Sequence, residues 1–326
     1  MISGENILVT GGAGYIGSHL VDALVEKNRV TVLDNLSTGK ISNIQHNLKR
    51  KGFHFIKGNV EDAETLRKAA MGCSIIVHEA AVVGVKHYVK DPLKVLLVNS
   101  LGMENVLEVA RKTDAKVVFA STSEVYGKSE TLPLRENGDR LLGSTSIDRW
   151  CYSTSKAFDE HLCFGYYKKY SLPVVILRYF NSYGPRADGS EYGGVIPIFI
   201  NRVLRNKAPQ VHGDGKQTRC FTYISDTVAG TMLSLEKKGA VGEIINIGTN
   251  VETPIVELAG RIIDLSGEKM KPEFITHEKF YGKSYEDIRR RVPDISKAKK
   301  LLGWEPRVDF EDGLRRTIAW YKKVIR

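Results

Sequence analysis

At 326 residues the chain is long enough for one large domain or two interleaved ones, and its 42% hydrophobic and 26% charged content excludes a disordered or fibrous class. No apolar run approaches the roughly eighteen residues that span a bilayer, so no membrane partner is expected. The net charge of +10 is spread over small groups such as Lys49-Arg50-Lys51 and Lys168-Lys169 without interleaved aromatics. That pattern argues against nucleic acid and for a basic surface that steers an anionic substrate.

The first element is a buried strand over Ile7-Leu8-Val9. Thr10-Gly11-Gly12-Ala13-Gly14-Tyr15-Ile16-Gly17 follows, then an amphipathic helix to about Lys27. Gly11, Gly14 and Gly17 permit a tight turn, close approach of the backbone to a pyrophosphate, and close packing of helix on sheet; the helix N-terminus offers N–H groups to the phosphates. A second strand, 29–33, ends at Asp34. An acid roughly twenty residues past the glycines suits the ribose hydroxyls of adenosine and repels a 2′-phosphate, so the order favours NAD over NADP.

Strand-like runs at 53–56, 75–78, 116–120 and 174–178 then alternate with helical patterns at 62–71, 94–112 and 152–170. The alternation predicts an α/β fold with a doubly wound parallel sheet, in which ligands sit beyond the carboxyl ends of the strands. Asp34, Ala80, Ala81, Ser121, Thr122, Tyr179, Phe180 and Asn181 each follow a strand and are expected to line one crevice. From about 181 the rhythm loosens, with Gly, Pro and charge rising over 184–194 and 206–219. Sheet-like runs return at 221–224 and 244–247, flanking a helix at 226–236, and helices follow near 254–266 and 309–324. The expected organisation is a dinucleotide-binding domain over 1–180 and 221–250, and a smaller, split substrate lobe over 181–220 and 251–326.

Cys73, Cys151, Cys163 and Cys220 show neither metal-ligand spacing nor a disulfide framework, so no metal is expected. With the first strand close behind the N-terminus and no leader anticipated, a reducing cytoplasm is the expected location.

Two further groups carry chemistry: Ser121-Thr122-Ser123-Glu124, and Tyr152-Ser153-Thr154-Ser155-Lys156. Tyr152 and Lys156, four residues apart, share a helix face. An ammonium near a phenol favours the phenolate, which predicts a tyrosine pKa drawn from about 10 towards neutral. Such a phenolate can take a proton from a sugar hydroxyl while hydride leaves the same carbon.

Together these motifs resemble the extended short-chain dehydrogenase/reductase superfamily, and within it the NAD-dependent nucleotide-sugar epimerases, decarboxylases and dehydratases. The resemblance rests on Thr10–Gly17, Asp34-Asn35, Ser121–Gly127, Tyr152–Lys156, Arg178–Arg186, Gly213–Phe221 and Arg291–Pro306. It implies that Tyr152 is the acid/base at the sugar C4 hydroxyl, that Lys156 tunes it and binds the nicotinamide ribose, and that Thr122 hydrogen-bonds the reacting oxygen. It assigns the cofactor to Gly11, Gly14, Tyr15, Ile16, Gly17, Asp34, Asn35, Asn59, Val60, Ala80, Ala81, Asn99 and Tyr179, besides Tyr152 and Lys156. Asn181, Arg219 and Arg291 are implied ligands of the nucleotide diphosphate or its sugar. A homodimer built from the helices near 100–112 and 152–168 is also implied.

In this superfamily bound NAD takes hydride from C4, and the resulting 4-keto sugar is epimerised, decarboxylated or dehydrated. Thymidine-linked dehydratases usually carry Asp-Glu where this chain has Ser123-Glu124, and guanosine-linked ones usually prefer NADP. Thr122-Ser123-Glu124-Val125-Tyr126-Gly127 resembles UDP-glucuronate decarboxylases, as do Arg149–Lys156 and Tyr281–Asp287. The resemblance then places Ser123, Glu124 and Arg291 around the sugar C5 substituent, with Glu124 either protonated or set to weaken carboxylate binding. UDP-glucuronate decarboxylation is thus the expected reaction. The alternatives are 4-epimerisation of UDP-glucose, UDP-glucuronate or UDP-N-acetylglucosamine and, more remotely, a non-catalytic NAD-sensing regulator. Glu79 departs from the apolar residue usual at its position and receives no role.

Overall fold

The computed structural model describes residues 2–190, 193–276, 286 and 288–325. In chain order its strands are β1 (Asn6–Thr10), β2 (Arg29–Asp34), β3 (Phe53–Lys57), β4 (Ile75–His78), β5 (Lys116–Thr122), β6 (Val174–Tyr179), β7 (Ser182–Tyr183), β8 (Gln210–His212), β9 (Thr218–Cys220), β10 (Thr222–Tyr223), β11 (Ile244–Ile247), β12 (Glu252–Pro254) and β13 (Glu273–Ile275). The helices are α1 (Tyr15–Leu24), α2 (Ala63–Ala69), α3 (Val85–Lys90), α4 (Pro92–Thr113), α5 (Trp150–Tyr170), α6 (Val195–Val203), α7 (Ile224–Glu236), α8 (Ile255–Ser266), α9 (Ser296–Leu302) and α10 (Phe310–Ile325).

Seven strands form one parallel sheet in the order β11-β6-β5-β4-β1-β2-β3. The reversal between β1 and β4 is the switch point of a doubly wound sheet, where ligands sit. Strand sequences such as Ile7-Leu8-Val9 and Val174–Tyr179 are buried throughout because helices cover both faces, which is why they read as unbroken apolar runs. One face packs on α1, α7 and α9, the other on α2, α4 and α5. Helix α1 stops at Leu24, earlier than the sequence suggested, because the Asn28 side-chain amide donates to the Leu24 carbonyl at 2.9 Å.

The remaining strands make three short pairs, β10 with β7, β12 with β9 and β13 with β8. With α6, α8 and α10 they enclose a second core that includes Ile196, Phe199, Leu258, Ile262, Leu314 and Ile318. Residues 221–224 were expected to be strand; only Thr222–Tyr223 pair, and Ile224 already opens α7. The sequence groups 251–326 with the lobe, yet Ala298, Leu302 and Trp304 pack into the core under the large sheet. Trp304 is held there by its indole N–H, which donates to the Asp226 carbonyl at 2.9 Å. No helix among the described residues is long and apolar enough to cross a membrane.

Candidate active site

The glycine-rich turn lies at the carboxyl end of β1, against the carboxyl end of β4. Gly11 has φ +69°, and a Cβ there would come within 2.7 Å of the Ala80 backbone nitrogen; at Gly17 it would come within 2.3 Å of the Gly11 carbonyl oxygen. Neither position admits a side chain, so α1 starts tight against the sheet with its first-turn N–H groups directed into the crevice. Asp34 ends β2 and is buried; its carboxylate accepts from the backbone N–H of Ala13 at 2.9 Å and of Leu36 at 2.8 Å. Asn35 donates to the Asn59 side chain at 2.8 Å, closing the β2 and β3 ends over one another. Val60 packs against Gly102 of α4.

Ala80 and Ala81 follow β4. The Ala80 N–H donates to the Thr10 hydroxyl at 3.3 Å, and the Asn99 amide brackets Val82, accepting from its N–H at 2.8 Å and donating to its carbonyl at 3.4 Å. Asn99 also donates to the Ser155 hydroxyl at 3.2 Å. It therefore fixes the 80–82 backbone onto α5 rather than presenting a free amide. Ile16 packs against both cores. The Tyr15 hydroxyl is buried without a hydrogen-bond partner among the described residues.

Helix α5 is clamped to the sheet by a buried network. Arg178 of β6 grips Glu160 with two parallel bonds of 2.9 and 2.7 Å, and Ser121 donates to the same carboxylate at 2.6 Å. The clamp sets Tyr152 and Lys156 beside the end of β5, where Thr122 caps the turn over Ser123–Tyr126 by accepting from the Glu124 N–H at 3.2 Å. Tyr152 is buried and stacked flat on Tyr88, ring centres 4.8 Å apart.

The electrostatics correct the sequence expectation for this pair. Lys156 donates to the Ala120 carbonyl at 2.9 Å and lies over the Phe119 ring, and the Tyr152 pKa is raised rather than lowered. Burial pushes the phenol well above its ordinary value, the Glu124 charge adds to this, and Asp159 and Glu79 push the same way against a hydrogen bond from Thr122. Burial likewise lowers the Lys156 ammonium, offset by Asp159 and Glu79. Burial first, and then the Glu124 charge, outweigh what favours the phenolate here.

The second half of the site surrounds Glu124. Arg291 donates Nη1 to Glu124 Oε1 at 2.9 Å and to the Ser123 hydroxyl at 3.3 Å; Arg149 donates Nη2 to Glu124 Oε2 at 3.2 Å. Both arginines are almost wholly buried. Burial alone would raise the Glu124 pKa, but the arginines overcome it and hold the carboxyl at about 2. With these partners and no second anion beside it, Glu124 is ionised at neutral pH. This cluster opens into a cavity of about 550 Å³ also lined by Asn181, Arg219 and Phe221. Arg219 donates to the Thr218 and Ile288 carbonyls at 2.8 and 2.7 Å, and Asn181 reaches the Cys220 carbonyl at 3.5 Å.

Two residues next to this chemistry had no role in the sequence reading. Arg149 lies three residues before Tyr152 and seven before Lys156, a helical face repeat that was there to be read. Tyr88 carries no local signal, since only the fold brings α3 against α5. Of the Tyr281–Asp287 motif, only Glu286 falls among the described residues, where it meets the Trp150 indole at 3.2 Å.

The residues present fit a dinucleotide. Gly11 and Gly17 leave space a side chain would fill, the α1 N-terminus faces it, and a buried acid closes its far end. A family model described as GDP-mannose 4,6 dehydratase matches residues 8–317, nearly the whole chain.

The chain belongs to this family of extended short-chain dehydrogenases/reductases.

One family relative, UDP-N-acetyl-alpha-D-glucosaminuronate decarboxylase of Bacillus cytotoxicus, is 42% identical, covering 98% of each chain. UDP-glucuronic acid decarboxylase 1 of Xenopus tropicalis is 36% identical over 98% of this chain and 73% of its own. Among solved members of the fold, UDP-glucuronic acid 4-epimerase of Bacillus cereus, in complex with UDP-glucuronic acid and NAD, superposes with a TM-score of 0.88 at 32% identity, covering 98% of this chain and 99% of that one. The family thus spans decarboxylation and epimerisation on one scaffold, and the chemistry around Glu124 becomes the deciding feature.

Proposed function

We propose that this family member is an NAD-dependent decarboxylase of a UDP-linked uronic acid, with UDP-glucuronate as substrate and UDP-xylose as product. The observation that carries the reading is the burial of Arg149 and Arg291 on either side of Glu124 at the head of the cavity. A neutral hexose has no use for two buried guanidiniums around C5, whereas a uronate carboxylate does. The 42% identity to a uronate decarboxylase supports the same class, and favours testing the 2-acetamido uronate beside UDP-glucuronate.

Gly11, Gly14, Gly17, Asp34 and the 80–82 and 179–180 backbone would hold NAD, with Tyr15, Ile16, Asn35, Asn59 and Val60 around its adenosine half and pyrophosphate. Bound there, NAD supplies the acceptor, and later the donor, of the C4 hydride. Tyr152 takes the C4 hydroxyl proton while Thr122 hydrogen-bonds the same oxygen and orients it. Lys156, four residues on along α5, would bind the nicotinamide ribose. With the oxidised, cationic cofactor bound, Tyr152 would release its own proton to solvent more readily and so be free to accept the C4 hydroxyl proton.

The resulting C4 ketone makes the C5 carboxylate part of a β-keto acid. As the bond from C5 to the carboxylate breaks, its electrons flow into the ketone to give an enolate and carbon dioxide leaves; a proton from solvent then adds at C5 and restores the C4 ketone. Glu124 already occupies Arg149 and Arg291, so an incoming carboxylate must share them with a second anion. That competition weakens carboxylate binding before reaction more than after it, which favours its loss. Tyr152 then returns its proton to O4 as C4 is re-reduced. Arg219 and Asn181, which line the cavity, would meet the diphosphate or the sugar.

An epimerase acting on the same uronate is the second reading, supported by the likeness to the Bacillus cereus enzyme. It differs in keeping the carboxylate. Product analysis with UDP-glucuronate separates the two.

We also propose a homodimer through α4 and α5. Leu93, Leu97 and Leu101, spaced by four, expose 64%, 49% and 45% of their surface on α4, and Phe158 exposes 51% on α5. An apolar stripe at that spacing is what a helix-pair interface requires.

A further inference from the structure

Glu79 follows β4 directly, at the carboxyl end of the sheet between His78 and Ala80. It accepts a hydrogen bond from the Tyr179 hydroxyl at 2.9 Å, and that hydroxyl is in turn 2.8 Å from Thr231 of α7. Its charge bears on Lys156 and on Tyr152, and burial lifts its pKa to about 7 against the pull of Tyr179 and Lys156. The neighbouring His78 is neutral: burial, then Lys156, lowers it to about 3, and it bonds Thr10 at 2.8 Å. Asp159 and Glu160 of α5 are the other acids bearing on Lys156; Asp159 is buried and lifted to about 6, and Glu160 is engaged by Arg178.

The nicotinamide must lie close to Tyr152, because the C4 hydrogen and the proton on its oxygen leave one atom apart. Glu79 directly precedes Ala80 and is bonded by Tyr179 at 2.9 Å, and both neighbours are positions assigned to the cofactor, so its carboxyl stands at the nicotinamide end of the crevice. This step rests on the proposed NAD chemistry. We infer that Glu79 is a charge-tuning residue that holds the bound cofactor in its oxidised, cationic form. The oxidised ring carries a positive charge and the reduced ring carries none, so a fixed negative charge stabilises the first and not the second. The consequence is a bound cofactor that resists standing reduced, so hydride is returned to the sugar rather than stranded.

The test is the equilibrium between oxidised and reduced cofactor bound to the intact enzyme without substrate. It is poised with a flavin mediator and read from the near-ultraviolet absorbance of the reduced nicotinamide. At a pH well above 7, Glu79→Gln is expected to raise the bound reduced-to-oxidised ratio roughly tenfold, the scale of one unit charge at a partly buried site. Reduction of the nicotinamide itself consumes a proton, so at fixed potential the ratio falls with pH in any case; in the wild type that fall should steepen beyond the one-proton slope around pH 7, where Glu79 ionises. The wild-type measurement stands even if the variant does not fold. A role confined to packing against Tyr179 would change affinity for both forms equally and leave the ratio unmoved; an unmoved ratio overturns the inference. Failure of the wild type to bind either form of the cofactor would overturn the proposed function and the inference with it.

Discussion

Arg291 and Glu124, 167 positions apart in the chain, meet through Nη1 and Oε1 at 2.9 Å. The pair brings the carboxyl end of β5 together with the segment that follows the lobe's last short strand. Arg149 closes the other side of the same carboxylate at 3.2 Å. A buried acid between two buried arginines is a net cationic niche, and the account of function depends on what that niche binds.

Removing either arginine should therefore damage uronate recognition selectively. Arg291→Ala is expected to raise KM for UDP-glucuronate by roughly 10- to 100-fold, the worth of one charge-assisted hydrogen bond. Affinity for UDP-glucose should change far less. Calorimetry with the two ligands in parallel checks this, and an equal loss for both would assign Arg291 to the diphosphate instead.

Glu124→Gln separates competition from catalysis. The uncharged amide removes the competing negative charge, so UDP-glucuronate should bind more tightly while carbon dioxide release slows by about 100-fold or more. Full carbon dioxide release by the variant would remove Glu124 from the mechanism.

Glu124 also predicts an acid response. Its folded pKa of about 2 lies below the ordinary 4.5, so its stabilising effect is fully present above pH 4.5 and is lost as pH falls towards 2. In that window the unfolded chain binds more protons and stability rises with pH. The Tm of Glu124→Gln measured across the same range should fall less steeply with acid than that of the wild type.

Tyr152→Phe is expected to lower turnover by about 100- to 10,000-fold, the usual scale for a lost acid/base group, while NAD stays bound. The ring stacking on Tyr88 survives this change, so the melting temperature should hardly move. Product chromatography and absorbance of the bound cofactor are the paired measurements.

Leu97→Glu puts charge in the middle of the exposed α4 stripe and should convert a dimer into a monomer in light scattering. A wild type already monomeric at micromolar concentration would remove the interface.

Much of the nucleotide half of the crevice was legible because its signals are local. Gly11 and Gly17 need no side chain, and Asp34 must end a strand; spacing alone reveals both. Helices α6 and α9 were not read: Pro197 and the preceding glycines mask the first, and the lysines of Ser296–Leu302 mask the second. Pro197 falls in the first turn of its helix, where a missing N–H costs little. The Tyr152 pKa could not be read either, because spacing shows Lys156 but not the convergence of Glu124, Asp159 and Glu79. Arg149 was visible as a helical repeat, but its value depends on Arg291 arriving from the far end of the chain.

The central claim is that the niche formed by Arg149, Glu124 and Arg291 directs a 4-keto uronate to lose its carboxylate. An NMR time course of the purified enzyme with UDP-glucuronate tests it most directly, with UDP-glucose, UDP-N-acetylglucosamine and the 2-acetamido uronate in parallel. The account predicts a UDP-pentose with one equivalent of carbon dioxide from a uronate, and no conversion of the neutral sugars. A C4-inverted sugar that keeps its C6 carbon would contradict it.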